Sequence, residues 1–524
     1  MDWRFSNNDI YGSFTREPWD HQIRSIRQIC DKFSSGIKSV VLGAPTASGK
    51  GLITTGLVNL LEKQGGKVII YNPRRLLTQQ SMDRLISDGI EAGARAASMR
   101  HKVDPNARIQ IAQIQTDIQR VINQERWQLF DANLVIIDEA HMLMSPKALE
   151  LIQRYLSKGA YVLGMSGTPI GMSGAYRDVV VAATNSELRA CGAHVPAKCF
   201  SVHEMDVDKI KPEKTGEYSD GDIIKECWSQ AIVGYIYEDW RRLNPDALPT
   251  LCASPGIDES AWVADLFLKK GHRVAHIDCK KVIVNGETYD NDAEGKVRNQ
   301  VLNDMKAGDF DVLCHCQVVQ EGIDIPNLRH LILARPYGSL ANYVQSVGRV
   351  IRACPESGKT HAVIQDHGAN MIRHGSPNAN RDWEAMFSMT EKEIAESRTR
   401  DVQEGKAPNP IVCPRCGTVR AEGLRCPACG FQADPRTRII VQKDGRLVER
   451  KMDQFEPPPP PKPEELKRLS QIFFSVRKRS GKSPTDAQVL AIYAKRHGGY
   501  PPDDMYHRWA QERELAIQRK RAYA

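Results

Sequence analysis

The stretch "VLGAPTASGKGLITT", Val41–Thr55, places a turn of small residues between an apolar run and a helix-like segment. A strand, a turn ending in Gly-Lys and a helix, in this order, are typical of a phosphate-binding loop. Backbone N–H groups around Ser48 are expected to point at the phosphates, and the helix N-terminus adds its positive end. Lys50 is expected to reach the β and γ phosphates. The next residue normally carries a hydroxyl for magnesium, and here it is Gly51.

A second motif, "LVIIDEAH" (Leu134–His141), puts two carboxylates at the carboxyl end of a four-residue apolar run. In open α/β sheets, ligands bind at that end of the strands. Asp138 is expected to hold magnesium through water, and Glu139 to polarise the water that attacks the phosphate. An acidic turn after a strand is common in isolation, but downstream of a phosphate loop this pair predicts ATP hydrolysis.

Short apolar runs alternate with amphipathic segments along most of the chain. They include "KVIIYNP" and "YVLGMSGTP" in the first part and "PTLCASPG", "FDVLCHC" and "LRHLILARP" in the second. Such runs, separated by helical segments, predict parallel sheets covered on both faces. A polar stretch at about residues 190–230 separates two regions that show this alternation. The sequence therefore predicts two α/β domains in tandem.

The bulk composition of the 524 residues is that of a globular protein, with 41% hydrophobic and 26% charged residues. A net charge of +8 suits a polyanionic partner such as nucleic acid. The first residues, "MDWRFSNNDI", have neither the basic start nor the apolar run of a signal peptide. No segment approaches the roughly 18 apolar residues that a membrane span needs. We therefore expect a cytoplasmic protein with no membrane partner.

The 13 cysteines fall into two groups. Nine are scattered, and we interpret them as small buried apolar side chains in a reducing compartment. The other four lie in "CPRCGTVRAEGLRCPACG", where two C-P-x-C-G knuckles supply the four thiolates of a structural zinc site. The interleaved arginines fit either contact with nucleic acid or docking of a protein. The predicted zinc ligands are Cys413, Cys416, Cys426 and Cys429.

The C-terminal region changes character after residue 400. A proline run, Pro457–Pro461, is expected to be an extended, stiff spacer. The last sixty or so residues have the pattern of short basic helices. Their aromatic side chains could stack on bases or could form the core of a small helical bundle. These aromatic residues are Tyr493, Tyr500, Tyr506 and Trp509.

Seven motifs, in order along residues 16–375, resemble the helicase core of superfamily 2. They are "APTASGKG", "NPRRLL", "AQIQT", "DEAH", "SGTP", "VVQEGIDIP" and "QSVGRVIR". Their spacing and the trailing four-cysteine module most resemble phage-encoded DEAD/DEAH-box helicases and the bacterial RadD-like branch. A phage-encoded protein would act in the host cytoplasm.

The resemblance implies an α/β fold of two tandem RecA-like domains with parallel sheets, followed by a small zinc ribbon and a short helical C-terminal domain. The expected boundaries are 1–190 for RecA-like domain 1, which binds ATP, 191–230 for a connecting segment, 231–405 for RecA-like domain 2, 406–435 for the zinc-binding module, 436–463 for a Pro-rich linker and 464–524 for the basic helical domain.

The resemblance also implies an ATP site shared by the two domains. Arginines of the second domain are expected to reach the γ phosphate only when the cleft closes, and such a fixed charge is worth about 10³- to 10⁵-fold in rate. The implied catalytic residues are Lys50, Asp138, Glu139, Gln345, Arg349 and Arg352. The implied contacts to nucleotide and magnesium are Gln22, Thr46, Ala47, Ser48, Gly49, Lys50, Gly51, Asp138, Gly322 and Asp324. Gln22 would read the adenine edge.

The implied strand-binding segments lie mainly in the first domain. "NPRRLL" and "IQT" match segments that touch the nucleic-acid backbone, and "SGTP" matches the motif that couples the nucleotide site to the strand. Glu321, beside the "GID" residues, matches a segment that faces both ligands. The implied nucleic-acid-binding residues are Pro73, Arg74, Thr116, Ser166 and Thr168.

Two positions of the phosphate loop depart from the family pattern. Ala47 replaces a glycine, a small change that should still allow close approach of the backbone. Gly51 removes a magnesium ligand, but magnesium readily keeps several waters, so a water could take that position. We therefore predict an active ATPase with weakened magnesium affinity.

The leading interpretation is an ATP-dependent helicase or translocase on nucleic acid, with single-stranded or forked DNA favoured. It would serve phage or bacterial replication, recombination or repair, with a replication or recombination protein as a partner of the C-terminal region. The implied cofactors are ATP, Mg²⁺ and structural Zn²⁺. Two alternatives stay open, namely the motor subunit of a restriction system and an ATP-gated DNA clamp or loader that barely hydrolyses ATP.

Overall fold

A computed structural model describes most of the first 403 residues and isolated positions beyond them. The chain divides into two compact units, Met1–Met452 and Asp453–Ala524. The described residues are 1–96, 99, 102–202, 207, 210–213, 216–228, 230–290, 295–316, 325–403, 411–412, 419–420, 432, 448–450, 472, 489, 492–493 and 509.

The first sheet has seven strands, and every neighbouring pair is parallel. Its spatial order is β3-β4-β2-β5-β6-β1-β7. The strands are β1 Ser39–Gly43, β2 Val68–Asn72, β3 Gly93–Arg95, β4 Ile109–Gln113, β5 Leu134–Ile137, β6 Tyr161–Ser166 and β7 Asp178–Val181. The α-helices around it are α1 Asn7–Tyr11, α2 Asp20–Ser34, α3 Lys50–Glu62, α4 Arg75–Ser87, α5 Ile114–Asp117, α6 Pro146–Ser157 and α7 Asn185–Ala190.

The apolar strands explain why this sheet is covered on both sides. All five residues of β1 and all four of β5 are buried. Side chains alternate between the two faces of a strand, so each face needs its own apolar layer. One layer contains Val40 and Leu42, and the other contains Val41 and Val162. The parallel first domain predicted from the sequence is confirmed.

The strand order brings three motifs to one edge of this sheet. β5, β6 and β1 are neighbours, and the phosphate loop, "DEAH" and "SGTP" each lie at the carboxyl end of one of them. Ligands of open parallel sheets bind at this edge.

The second sheet has nine strands in the order β12-β11-β10-β13-β9-β14-β15-β8-β18. The strands are β8 Ala197–Ser201, β9 Thr250–Ala253, β10 Val274–Ile277, β11 Lys281–Val284, β12 Glu287–Asp290, β13 Val312–His315, β14 His330–Leu333, β15 Ala362–Asp366 and β18 Val448–Arg450. A separate antiparallel pair is β16 Ile411–Val412 with β17 Val419–Arg420. The α-helices of this region are α8 Asp220–Glu226, α9 Gln230–Leu243, α10 Ile257–Lys269, α11 Lys296–Ala307, α12 Leu340–Ile351, α13 Asn370–His374, α14 Trp383–Met386 and α15 Glu391–Gln403.

The edges of the second sheet differ from the all-parallel expectation. β11 and β12 form an antiparallel hairpin on one edge, and β18 runs antiparallel to β8 on the other. β8 lies within the expected connecting segment and β18 within the expected proline-rich linker, yet both extend this sheet. Residues 285–286, Asn-Gly, form a two-residue hairpin connection, which this dipeptide favours.

The nine cysteines in the described residues are free thiols, and seven of them are buried, as expected for small apolar side chains. In the second unit, Tyr493 and Trp509 are buried, which favours a core role for these two rings. Tyr500 and Tyr506 lie outside the described residues. Within the described part, no helix has both the length and the apolar character needed to cross a bilayer.

Five buried histidines give the second sheet a predictable response to acid. Burial is the main cause that lowers the pKa of each, to about 4 for His194 and His330 and about 3 for His315, His367 and His374. In the unfolded chain their pKa is about 6.5, so the unfolded state takes up protons first as the pH falls. The free energy of unfolding is therefore expected to fall from about pH 6.5 down to about pH 3.

We expect the urea midpoint to fall between pH 7 and pH 5, with each of these histidines contributing about 2 kcal/mol at pH 5. Replacement of His367 by leucine should reduce the pH dependence, because its Nε2 accepts a hydrogen bond from Gln365 and cannot do so when protonated. The partly exposed His361 replaced by alanine is the control. A midpoint that does not change between pH 7 and pH 5 would contradict this prediction.

Candidate nucleotide site and interdomain cleft

Helix α2, which precedes β1, holds the phosphate loop through two side-chain contacts. The backbone carbonyl of Ser48 accepts a hydrogen bond from Gln22 Nε2 at 3.0 Å and contacts the ring of His21 at 2.9 Å. Gln22 Oε1 accepts from the backbone N–H of Trp19, so both ends of its amide are used. Gln22 therefore fixes the loop in addition to its implied role at the adenine edge, which stays a prediction.

Ala47 adopts a left-handed backbone conformation, with φ at +62°. This conformation costs an alanine about 1–2 kcal/mol, a cost that glycine avoids. The expectation that alanine preserves the shape of the loop is consistent with this geometry, although the residue is strained. The adjoining Ser48 hydroxyl is buried and has no hydrogen-bond partner among the described residues, as suits a group that awaits a phosphate oxygen.

Lys50 and the two carboxylates form one charged cluster. Lys50 Nζ lies 2.7 Å from Glu139 Oε1, and both side chains are about one-fifth exposed, at 21% and 22%. Burial lowers the pKa of Lys50, but the charges of Glu139 and Asp138 outweigh it and the pKa lies above its ordinary value. Burial raises the pKa of Asp138, whereas the pKa of Glu139 is lowered because Lys50 overcomes the effect of burial. The lysine is thus paired with the predicted catalytic carboxylate.

Glu139 is held in a strained backbone conformation, with φ at +45°. Its N–H donates to Asp138 Oδ1 at 3.0 Å, and the N–H of Asp138 donates to the carbonyl of Tyr71 on β2. Left-handed conformations of non-glycine residues cost about 1–3 kcal/mol and persist where the surroundings fix them. The turn thereby directs two consecutive carboxylates into the same site.

Helix α12 of the second sheet contacts the phosphate loop closely. A Cβ added to Gly348 would lie 2.5 Å from Thr46 Oγ1, so only glycine fits this approach. His194 adds a second contact, with Nε2 2.7 Å from the carbonyl of Thr46. The two sheets therefore meet at the nucleotide loop itself.

A relay of side chains crosses the cleft from α12 to the first sheet. Gln345 Nε2 donates to His141 Nε2 at 3.0 Å, and His141 Nδ1 lies 3.0 Å from Ser166 Oγ. Because Nε2 accepts, the proton of the neutral ring lies on Nδ1 and is donated to Ser166. Burial lowers the pKa of His141, which favours this neutral form. Thr168 completes the relay through its N–H to Ser166 Oγ and its own contact with Gln345.

The relay also shows where the residues of "SGTP" lie. Ser166 and Thr168 are fully buried, so they contact His141 and Gln345 and are not exposed to a strand. Their implied contact with nucleic acid stays a prediction. A coupling role fits their position directly.

The two predicted arginines of α12 differ in their surroundings. The charge of Arg349 contributes to the lowered pKa of Glu139 and opposes the charge of Lys50, so it lies beside the nucleotide cluster. The charge of Arg352 acts on His194 and Lys359. We therefore predict that Arg349 is the group that reaches a γ phosphate.

The N-terminus of α12 is fixed by two carboxylates. Glu217 accepts from the N–H groups of Gly338 and Ser339 and from the Asn342 amide. Glu391 accepts from Ser339 Oγ and from the N–H groups of residues 340 and 341. Negative charge at a helix N-terminus is stabilising because it complements the helix dipole. Helix α12 is therefore tied to two segments distant in sequence.

The implied strand-binding residues of the first domain lie at the ends of β2 and β4. Arg74 is exposed, Thr116 is partly exposed in α5, and Pro73 is buried beside them. Burial and then the charge of Arg74 lower the pKa of Arg298 on α11, so the two cations act on each other electrostatically.

Several predicted residues lie outside the described part of the chain. The structure does not describe the "EGID" residues Glu321, Gly322 and Asp324 or the four cysteines of the predicted zinc module. In the described residues, no group of three or more His, Cys, Asp or Glu side chains is arranged to hold a metal ion.

The residues available for magnesium at the nucleotide site are fewer than in a standard phosphate loop. Asp138 offers a carboxylate, and residue 51 offers no hydroxyl. Magnesium keeps several waters and is often bound through one or two carboxylates plus substrate phosphates, so the donor set still fits the ion. When bound, magnesium would neutralise the charge of the β and γ phosphates.

Sequence reasoning missed two contributors to this site. His141 belongs to "DEAH" and could have been assigned from that motif. His194 follows no motif, and its contact with Thr46 arises only because the second sheet meets the loop.

This combination of a phosphate loop, paired carboxylates on the neighbouring strand and an arginine-bearing helix from a second sheet defines a two-domain motor ATPase. Residues 15–171 match the family model "Type III restriction enzyme, res subunit", and residues 257–354 match "Helicase conserved C-terminal domain".

Curated relatives and solved structures agree with these matches. The chain is 23% identical over 419 residues to a 51.5 kDa protein of Lactococcus phage (isolate 7-9), covering 78% of this chain and 82% of that protein. It is 25% identical over 348 residues to the ATP-dependent DNA helicase uvsW of Enterobacteria phage T4, covering 62% of this chain and 64% of that protein. A fragment of a HsdR subunit of a type I restriction enzyme from Vibrio vulnificus YJ016 has a similar fold, with a TM-score of 0.52, 16% identity and coverage of 74% and 70%.

These matches support an ATP-dependent helicase with tandem RecA-like helicase domains and an ATP-hydrolysing motor, similar to the superfamily 2 helicases. The expectations of an α/β helicase fold and of ATP-dependent motor activity are confirmed.

Proposed function

We propose that this helicase moves along or unwinds DNA, with single-stranded or forked DNA as its substrate, in the replication, recombination or repair of a phage or bacterium. The observation that carries the proposal is the relay from Gln345 through His141 to Ser166. It joins the second sheet to the loop that follows β6, beside the nucleotide site. Through this relay, binding or hydrolysis of the nucleotide would alter the relative position of the two sheets.

The charge of the cleft supports nucleic acid as the other ligand. Burial and then the charge of Arg74 lower the pKa of Arg298, so these cations from different sheets act on each other, and a bound anion would relieve their repulsion. A phosphate backbone supplies that anion at regular intervals. Cyclic opening and closing would then advance one domain along the strand relative to the other.

For the C-terminal region we propose a structural zinc held by Cys413, Cys416, Cys426 and Cys429. The support is the spacing of the two C-P-x-C-G knuckles. The region is also our candidate for contact with a replication or recombination protein, because a basic segment follows a proline-rich spacer. Both assignments stay predictions from the sequence.

A motor subunit of a restriction system is the second candidate. The match to the restriction-enzyme family model favours it. Such a motor would translocate on intact duplex DNA without needing an end or a fork.

The test is ATP hydrolysis by the full chain with single-stranded, duplex, forked and branched DNA, and with RNA of matched sequence. We expect the strongest stimulation by forked or single-stranded DNA, together with ATP-dependent displacement of a labelled strand from the fork. Equal stimulation by blunt duplex without strand displacement would favour the restriction motor. Binding of ATP and DNA without stimulated phosphate release would favour the clamp or loader.

A further inference from the structure

The position that Gly51 leaves empty is filled by an arginine from another helix. Arg84 lies in the last turn of α4, and its guanidinium occupies the space where a side chain at residue 51 would start. A Cβ built on Gly51 would collide with the Nη1, Cζ and Nε atoms of Arg84. The guanidinium therefore reaches the first turn of α3, immediately after Lys50.

A hydrogen bond one turn further along both helices holds this arrangement. Thr55 Oγ1 donates to Asp88 Oδ2 at 2.9 Å. Thr55 follows Gly51 by four residues, and Asp88 follows Arg84 by four, so each pair lies on one helix face. The hydrogen bond between Asp88 and Thr55 thus positions Arg84 beside Gly51.

Asp88 is itself anchored. Its other carboxylate oxygen lies 3.3 Å from Arg16 Nη2, and its side chain is only 4% exposed. Arg16 and Thr55 therefore act on Arg84 through Asp88, as positioning residues.

The charge of Arg84 is directed toward the nucleotide site. It opposes the effect of burial on Asp138, the carboxylate predicted to hold magnesium. Arg84 is also exposed, and within the described residues its guanidinium donates no hydrogen bond and forms no ion pair. A guanidinium offers five N–H donors in a planar fork that matches the geometry of a phosphate group.

We propose that Arg84 is a nucleotide-binding residue that contacts the phosphates from the position of the missing hydroxyl, and that glycine at residue 51 admits it. This inference deepens the proposed nucleotide site and rests on it. A cation that belongs to the protein then neutralises part of the phosphate charge that magnesium alone would otherwise neutralise. Nucleotide binding is accordingly less dependent on magnesium than in a phosphate loop that ends in Lys-Thr.

The test is the equilibrium binding of a fluorescent ADP analogue to the full chain, first in EDTA and then across a magnesium titration. In EDTA, Arg84→Ala should weaken binding by about 10- to 100-fold, the range for a charged hydrogen bond to phosphate. Arg84→Lys keeps the charge but loses the fork, so its affinity should be intermediate. Arg27→Ala, which removes an exposed arginine from α2, should bind as the wild type does.

A double-mutant cycle tests the link to Gly51. Gly51→Thr restores the hydroxyl and displaces the guanidinium, so it should weaken binding in EDTA and make binding depend steeply on magnesium. In that background, Arg84→Ala should change the affinity by less than about twofold, because contacting residues are not additive. Equal effects of Arg84→Ala in both backgrounds would overturn the link between the two residues.

The remaining outcomes separate this inference from the proposed function. If Arg84→Ala binds the analogue as the wild type does at every magnesium concentration, with an unchanged urea midpoint, Arg84 is only a surface charge. If the wild type binds no nucleotide with or without magnesium, the proposed ATPase site fails, and the inference fails with it. If binding follows the expectation but strand displacement is absent, the helicase proposal fails and the role of Arg84 stands.

Discussion

Glu139→Gln is expected to lower the ATP turnover number by about 10³-fold, within the range of about 10²- to 10⁴-fold for loss of a general base. The carboxylate lies 2.7 Å from Lys50, which holds its pKa below the ordinary value, so it is ionised at neutral pH. An amide of the same shape cannot accept a proton from the attacking water. Nucleotide affinity should be retained, because Lys50, the loop backbone and Asp138 are unchanged.

The measurement is phosphate release with and without single-stranded DNA, next to binding of an ADP analogue. Glu150→Gln is the control, since this carboxylate lies on the surface of α6, where it pairs with Lys147 and Arg154. A turnover number within tenfold of wild type would show that another group activates the water.

Arg349→Ala is expected to reduce turnover by about 10³- to 10⁵-fold, the contribution of an arginine that reaches the transferring phosphate. Its charge already acts on Glu139 and Lys50, so we expect it to act on a phosphate bound beside them. Arg349→Lys should not rescue activity, because an ammonium lacks the planar fork. Affinity for ADP should stay within a few fold, since the γ phosphate is absent.

Arg352→Ala provides the comparison for Arg349. Its charge acts on His194 and Lys359, so its loss should slow turnover less. Single-turnover phosphate release measures both variants under saturating nucleotide. Equal losses in the two variants would assign both arginines to the phosphate.

Features that depend on short stretches of sequence could be predicted. The apolar runs of β1 and β5 specify buried parallel strands, and the Gly-Lys and Asp-Glu pairs follow them directly. The order of motifs also predicted a second domain and the roles of Gln345 and Arg349, which stay predictions.

Features that depend on contacts between distant residues could not be predicted. Nothing in "QSMDRLISD" marks Arg84 as the neighbour of Gly51, since the contact depends on how α4 packs along α3. The short strands β8 and β18 were assigned to connections because each is too short to give a pattern by itself. They are strands because the edge of an existing sheet offers them hydrogen-bond partners.

The contact with Arg84, which the sequence does not reveal, changes how the missing hydroxyl at residue 51 is interpreted. In the sequence, Gly51 is a lost magnesium ligand. In the structure, its small size leaves room for the guanidinium of Arg84 beside the phosphate loop, which is the basis of the nucleotide-binding role proposed for that arginine.

The capped helix α12 has a mechanical consequence. Its first turn is clamped by Glu217 and Glu391, while Gln345 and Arg349 lie one and two turns further along. A rod fastened at one end transmits a small rotation of the fastening as a larger displacement of its far end. We therefore expect the positions of Glu217 and Glu391 to influence how the helix presents Arg349 to the nucleotide site.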